Sequence, residues 1–342
     1  MIRRTPVTLS FAIFALALSP IRAQAPGPAL SIVLPPRLLA NAPATLAILG
    51  VDGHLAPGVV VDVGNGQRVT TDATGRASFI APPDGAFIAK AEGVSAAALV
   101  DAASQHAPAA TTVAPNVSQH DRFAICGSGL SGNVTADHVT INGDAAFVLA
   151  ASPVCVVILP QTRTLAGPAK IVIGADGADA TATTSLVALD FLPPNPPLTP
   201  NRKGRLLVRA EGTADPLQIV VENHSVNVLH FTRGDTQELR TSGGAQNQAS
   251  IEVQAIRSGD FSFRARIVPP PDPASAVRYL EIAESIAPKS PNNMQRALKT
   301  IVGQVAHHPR DSAKARAAVE HLAASAPPGS LHALLDAAAA SL

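Results

Sequence analysis

Tryptophan is absent and tyrosine occurs once, at Tyr279, so aromatic residues make up only 3% of the 342. Surfaces that stack sugar rings or bases depend on aromatic faces, and none of that kind is expected here. Charge is scarce as well. Only 15% of residues are charged, and 26 basic residues against 25 acidic ones leave a net charge of +1. No bulk field draws the chain to nucleic acid or to anionic lipid. Beyond the N-terminal residues no stretch is long and apolar enough to cross a membrane. The spellings of nucleophile and metalloprotease chemistry are missing too: G-x-S-x-G, H-E-x-x-H and a helix-borne S-x-x-K. The chain is therefore expected to be non-catalytic, with no catalytic, cofactor-binding or metal-binding residue assigned.

Cysteine is limited to Cys126 and Cys155, with no C-x-x-C and no cysteine–histidine cluster. Arg3 and Arg4 precede the apolar run "VTLSFAIFALAL", and small residues follow up to Ala23. That order reads as a signal peptide over residues 1–23, too short in its apolar core for a spanning helix. Export to the periplasm, the cell surface or the exterior follows as the expectation. In such an oxidising compartment Cys126 and Cys155 are predicted to form a disulfide.

Proline and glycine are what the chain has in quantity, 30 and 24 residues. Proline-dense joints occur at "HAPAATTVAP", "LPPNPPLTP" and "VPPPDP" and read as stiff, extended spacers. Between them, residues 30–103, 114–191 and 201–268 show short strand-like runs punctuated by glycine turns about every ten residues. This spacing predicts a mainly β protein of three tandem antiparallel β-sandwiches arranged as a rod. After Pro273 the apolar period becomes helical. Met294, Leu298, Ile301, Val302 and Val305 mark one helix, and Leu331, Leu334, Leu335 and Ala338 another behind Ser330. Two less patterned helices complete a small helical domain over residues 273–342. Its apolar faces lean on alanine, so it should either dock on the sandwich before it or order on a partner.

Gly127, Gly129 and Gly132 spell G-x-G-x-x-G after a strand-like segment. A dinucleotide turn must hand directly to a helix whose N-terminus receives the pyrophosphate. The residues that follow, "NVTADHVTING", are β-branched and end in an Asn142-Gly143 hairpin turn, so the run predicts a strand-end turn and no cofactor. Residues 114–191 resemble an IPT/TIG-like Ig module. Val139, Ile141 and Gly143, the strand ending in Pro160, and Gly167, Ile171 and Ile173 occupy the places of that pattern, with Leu130 where phenylalanine is usual. Residues 30–103 are similar to bacterial Ig-like and carboxypeptidase-regulatory-like modules through Asp72, Gly75, Phe79, Gly85, Phe87 and Gly93. These resemblances imply Ig-like folds with structural or adhesive roles, and no catalytic residue carries over.

Other candidates have plainer readings. His307 and His308 sit at a helix end, and Asp72–Gly75 and Asp176–Asp179 are turns with too few ligands in line for calcium. Arg202, Lys203, Arg205 and Arg209 alternate along a strand as a solvated face. The expected function is a structural or adhesive protein of a bacterial envelope or exterior, with a protein partner met through sandwich edges or the helical tail. An assembly or secretion factor that docks a partner through the tail is the alternative, followed by an enzyme with a site between domains.

Overall fold

The computed structural model describes residues 30–342 apart from 65, 103–111, 128, 176–177, 195–197, 226–228, 232–235, 256–261, 289–293 and 308–311. The leader read over residues 1–23 lies outside the described residues, as do most of the first proline joint, His308 and Asp176.

The first sandwich is built from β1 (Leu30–Val33), β2 (Arg37–Leu39), β3 (Pro43–Gly50), β4 (Val60–Asp62), β5 (Arg68–Thr70), β6 (Arg76–Ile80), β7 (Ala86–Ala91) and β8 (Val94–Asp101). β1, β3 and β6 make one layer, and β2-β8-β7-β4-β5 the other. Pro35 and Pro36 interrupt the opening strand because proline has no N–H for a ladder. β1 consequently pairs antiparallel with β3, while β2 crosses to the other layer and runs parallel to β8. Phe79 and Phe87 stack at 4.2 Å in the core between the layers.

The second sandwich repeats the device with β9 (Thr112–Val113) and β10 (Asn116–Ser118) on either side of Pro115. β11 (Phe123–Cys126), β12 (His138–Ile141), β13 (Asp144–Ala145), β14 (Phe147–Ser152), β15 (Cys155–Leu159), β16 (Gly167–Ala175) and β17 (Ala178–Leu192) complete it. Its layers are β9-β11-β15-β14 and β13-β12-β16-β17, with β10 parallel to β17. In the third sandwich β17 continues beside β18 (Lys203–Glu211), which pairs with β22 (Gln248–Ala255), next to β20 (Leu229–Phe231). The facing layer is β21 (Thr236–Arg240), β19 (Gln218–Asn223) and β23 (Phe263–Ile267). The fold is mainly β: three Ig-like sandwiches followed by a helical domain.

The sandwiches are not separate beads. β17 serves two of them: Leu186 lies in the second core and Val187 in the third. β3 and β14 are bridged at Thr45 and Ala151, which makes one sheet of layers from the first two sandwiches. Six consecutive residues of β3, Ala44–Leu49, are buried. A strand apolar on both faces needs a cover on both. Ala47 and Leu49 find theirs in Leu149, Ala150 and Val157 of the second sandwich.

Helices α1 (Pro273–Ile286), α2 (Met294–His307), α3 (Ser312–Ser325) and α4 (Ser330–Ala340) form the C-terminal domain. Asp272 caps α1 by accepting from the Ser275 amide, with proline at the first position. The expectation that this domain docks on the preceding sandwich is corrected. Its core instead includes Leu99 of β8, only 1% exposed, with Ala86, Ile88 and Ala97 packed against it. Alanine-rich helices bury little area of their own, so the outer face of β7 and β8 supplies the missing apolar surface. The straight rod is corrected with it, because the tail lies on the first sandwich while Arg316 of α3 pairs with Glu238 of β21 at 3.0 Å. Contacts thus run from first sandwich to second, second to third, third to helices, and helices back to first.

Candidate functional site

Cys126 and Cys155 are directly opposite each other on β11 and β15 and form a disulfide with an S–S distance of 2.01 Å. The bridge staples neighbouring strands of one layer, whereas antibody-type Ig domains join their two layers. Two turns leave this staple side by side. The Gly127 amide donates to the Val154 carbonyl at 2.8 Å, and the Leu130 amide to the Pro153 carbonyl at 3.3 Å. Leu130 fills a buried place in the second core. No helix follows the glycine run; β12 does, and Gly129 and Gly132 have φ of 79° and 74°.

What the sequence did not reveal is that this turn pair is the docking face of the second sandwich on the first. Thr45 Oγ1 donates to the Gly132 carbonyl at 3.0 Å. Ser152 Oγ donates to the Arg37 carbonyl at 2.7 Å and accepts from the Cys155 amide at 2.9 Å. Arg76 reaches across with Nη2 to the Val148 carbonyl at 2.8 Å, and Arg122 with Nη2 to Ser31 Oγ at 3.2 Å. Burial pulls both guanidinium groups below their usual value; Asp72 opposes it at Arg76, and Asp121 at Arg122. The seam to the third sandwich adds an ion pair between Arg264 and Asp121 at 2.8 Å.

A third seam holds the helices. Asp101 accepts from Arg37 Nε at 2.7 Å and from Arg278 Nη1 at 2.9 Å, and Arg278 Nη2 also donates to the Val100 carbonyl at 2.7 Å. Tyr279 is buried beside them, its hydroxyl 3.4 Å from the Pro36 carbonyl. Burial pushes this phenol well above its ordinary value. A raised folded value means that the native state holds the proton more firmly. The stabilisation is intact below the unfolded value of about 10 and is lost as pH climbs past it. Because the chain has no second tyrosine, phenolate absorbance reports Tyr279 alone. The native protein should titrate above about pH 10 and the urea-unfolded chain near it; coincident curves would contradict the buried seam.

The remaining candidates are spent locally. The Asp72 carboxylate accepts from the Thr74 amide and hydroxyl, both at 2.7 Å, and from the Arg76 amide. Hydrogen bonds, that of the Thr74 hydroxyl first, hold it below the usual carboxylate range. Lys203 pairs with Glu252 and Arg209 with Glu211. His307 ends α2 in solvent. Among the described residues no group of three His, Cys, Asp or Glu side chains is placed to hold a metal ion, and no helix is long and apolar enough to cross a membrane. One open groove of about 550 Å³ lies between α2 and α3, floored by Ala297, Ile301, Ala318 and Leu322 and edged by Arg296 and Lys314. Its signal in the sequence was faint, since small residues mark a groove only once the helix pairing is known.

No protein-family model matches the chain, and no curated protein does. Solved structures do. A crystal structure of a titin tandem is 11% identical over 70% of this chain and 94% of that one, with a TM-score of 0.23. A Bacteroides ovatus protein of a mixed-linkage glucan utilization locus, in complex with a mixed-linkage heptasaccharide, is 13% identical over 69% of this chain and 60% of that one, TM-score 0.19. Domains 1–6 of surface layer protein SbsC are 11% identical over 69% of this chain and 38% of that one, TM-score 0.17.

Proposed function

We propose that the protein is an exported, non-catalytic structural and binding protein of a bacterial envelope or exterior. The observation that carries this reading is where the polar side chains are used. Thr45, Ser152, Arg76, Arg37, Asp101 and Arg278 are engaged in seams that fix one domain on the next. A chain that spends its polar groups on fixing domains is built to hold a shape. The disulfide supports an oxidising compartment, in line with the leader. Within this reading residues 114–191 are an IPT/TIG-like module and residues 30–103 a bacterial Ig-like, carboxypeptidase-regulatory-like one. A second reading, docking of an assembly partner through the helices, is favoured by the groove between α2 and α3. Expression in a bacterial host with the native N-terminus, followed by fractionation and thiol alkylation, tests the export. The expected result is a shortened protein outside the cytoplasm with both cysteines blocked to alkylation until reduced. A full-length cytoplasmic protein with two free thiols would overturn it.

A further inference from the structure

We propose that the groove between α2 and α3 takes an amphipathic helix of a partner protein, with apolar residues inserted and carboxylates flanking them. The inference rests on the binding role proposed above. Ala297 and Ala318 are too small to close the space between the two helices, which leaves about 550 Å³ above Ile301 and Leu322. That volume holds a few apolar side chains and not a whole helix, which is the helix-in-groove mode of recognition.

The placement of charge selects the occupant. Only residues 308–311 join α2 to α3, so the two helices run antiparallel. Arg296 near the start of α2 therefore shares one end of the groove with His321, and Gln304 shares the other with Lys314. Positions 296 and 304 are eight residues apart, about 12 Å along the helix axis. Both ends thus carry a basic side chain, and among the described residues no carboxylate lines the groove. Among the described residues neither Arg296 nor Lys314 has an ion-pair partner, whereas Arg316 on another face of α3 is held by Glu238 and Glu320. An anionic lipid with a single headgroup neutralises one end. A helix with carboxylates about eight positions apart, two turns and a little more, answers both ends while its intervening apolar residues meet the floor.

The test uses the full mature chain and fluorescent synthetic helices read by anisotropy. One helix carries leucines between two glutamates eight positions apart; its counterpart carries lysines there. The glutamate helix should bind roughly tenfold more tightly or better. Arg296→Glu with Lys314→Glu should invert that preference. Ala318→Leu, which fills the groove with apolar volume, should weaken the glutamate helix by a similar factor. Both helices binding alike, or indifference to both variants, overturns the proposal. Displacement of the helix by palmitate assigns the groove to a lipid, and self-association abolished by Ala318→Leu assigns it to a second copy; each overturns it as well. A partner recovered from the native envelope whose capture survives both variants refutes the groove and leaves the binding role standing. No recovered partner together with no bound helix refutes both.

Discussion

Replacing Cys126 and Cys155 together by alanine should lower the stability of the second sandwich by about 3–4 kcal/mol, the chain-entropy value for a closed loop of this length. The sequence separation is 29 residues, and β12, β13 and β14 lie within the closed loop, so the unfolded chain regains that freedom when the bridge is lost. Alanine is preferred to serine because Cys155 is fully buried and a hydroxyl there would need a partner. The loss should not stay inside the sandwich. The staple fixes the two turns that present the Gly132 carbonyl to Thr45 and Ser152 Oγ to the Arg37 carbonyl. Amide exchange should therefore rise first in β11 and β15, and next in β3. A reductant should reproduce the change in the natural protein and add nothing in the variant. An unchanged urea midpoint, with unchanged exchange in β3, would mean that the bridge braces neither the sandwich nor its seam.

The sandwiches and helices were legible because each obeys a local rule. Turn glycines recur at strand spacing, whereas the short opening strands on either side of Pro35, Pro36 and Pro115 carry no such spacing, and β9 falls inside a stretch that reads as a proline-rich spacer. The helical period of Met294, Leu298, Ile301 and Val305 announces α2. What was not legible is how the units meet, because a seam joins residues far apart in sequence. Thr45 and Gly132 are 87 positions apart, and Arg278 and Asp101 177. A weaker signal was present all the same. Strands β3 and β8 lack the alternation of a half-solvated strand, reading "PATLAILG" and "VSAAALVD". A strand apolar on both faces has to be covered twice. For β3 the second cover is the neighbouring sandwich, and for β8 it is the helical tail. Thin alanine packing pointed the same way, since a domain short of apolar area must borrow it. The identity of the lender was the missing term. The candidate site followed the same pattern: the disulfide was readable from two cysteines and a leader, the groove only from the pairing of α2 with α3.

The glycines at the seams offer the sharpest test of whether the domains are held by contact or merely tethered. Gly132→Ala places a Cβ 2.4 Å from the Pro43 carbonyl oxygen, which belongs to the first sandwich. Gly212→Ala places one 2.1 Å from the Leu186 carbonyl oxygen and 2.7 Å from the Gly167 nitrogen, both at the foot of the second. Both positions also have φ in the left-handed region, 74° and 99°. Backbone strain alone costs an alanine about 1 kcal/mol or slightly more. A clash with immovable backbone adds to it, so each variant should lose about 3 kcal/mol or more. Gly143→Ala supplies the comparison, with φ of 90° but nothing within 4 Å of its Cβ. It should show the strain and not the clash, at about 1 kcal/mol. The two seam variants should differ from each other in place. Gly132→Ala should loosen β3 and the Ser152 turn, and Gly212→Ala should loosen β17 where it passes from the second core to the third. Urea midpoints give the size and amide exchange the place. If both variants cost no more than Gly143→Ala, the approach of backbones at these joints is not what holds the sandwiches together. In that event the side-chain bonds and apolar packing of the seams, with β17 and the helices, would have to fix the shape on which the proposed binding role depends.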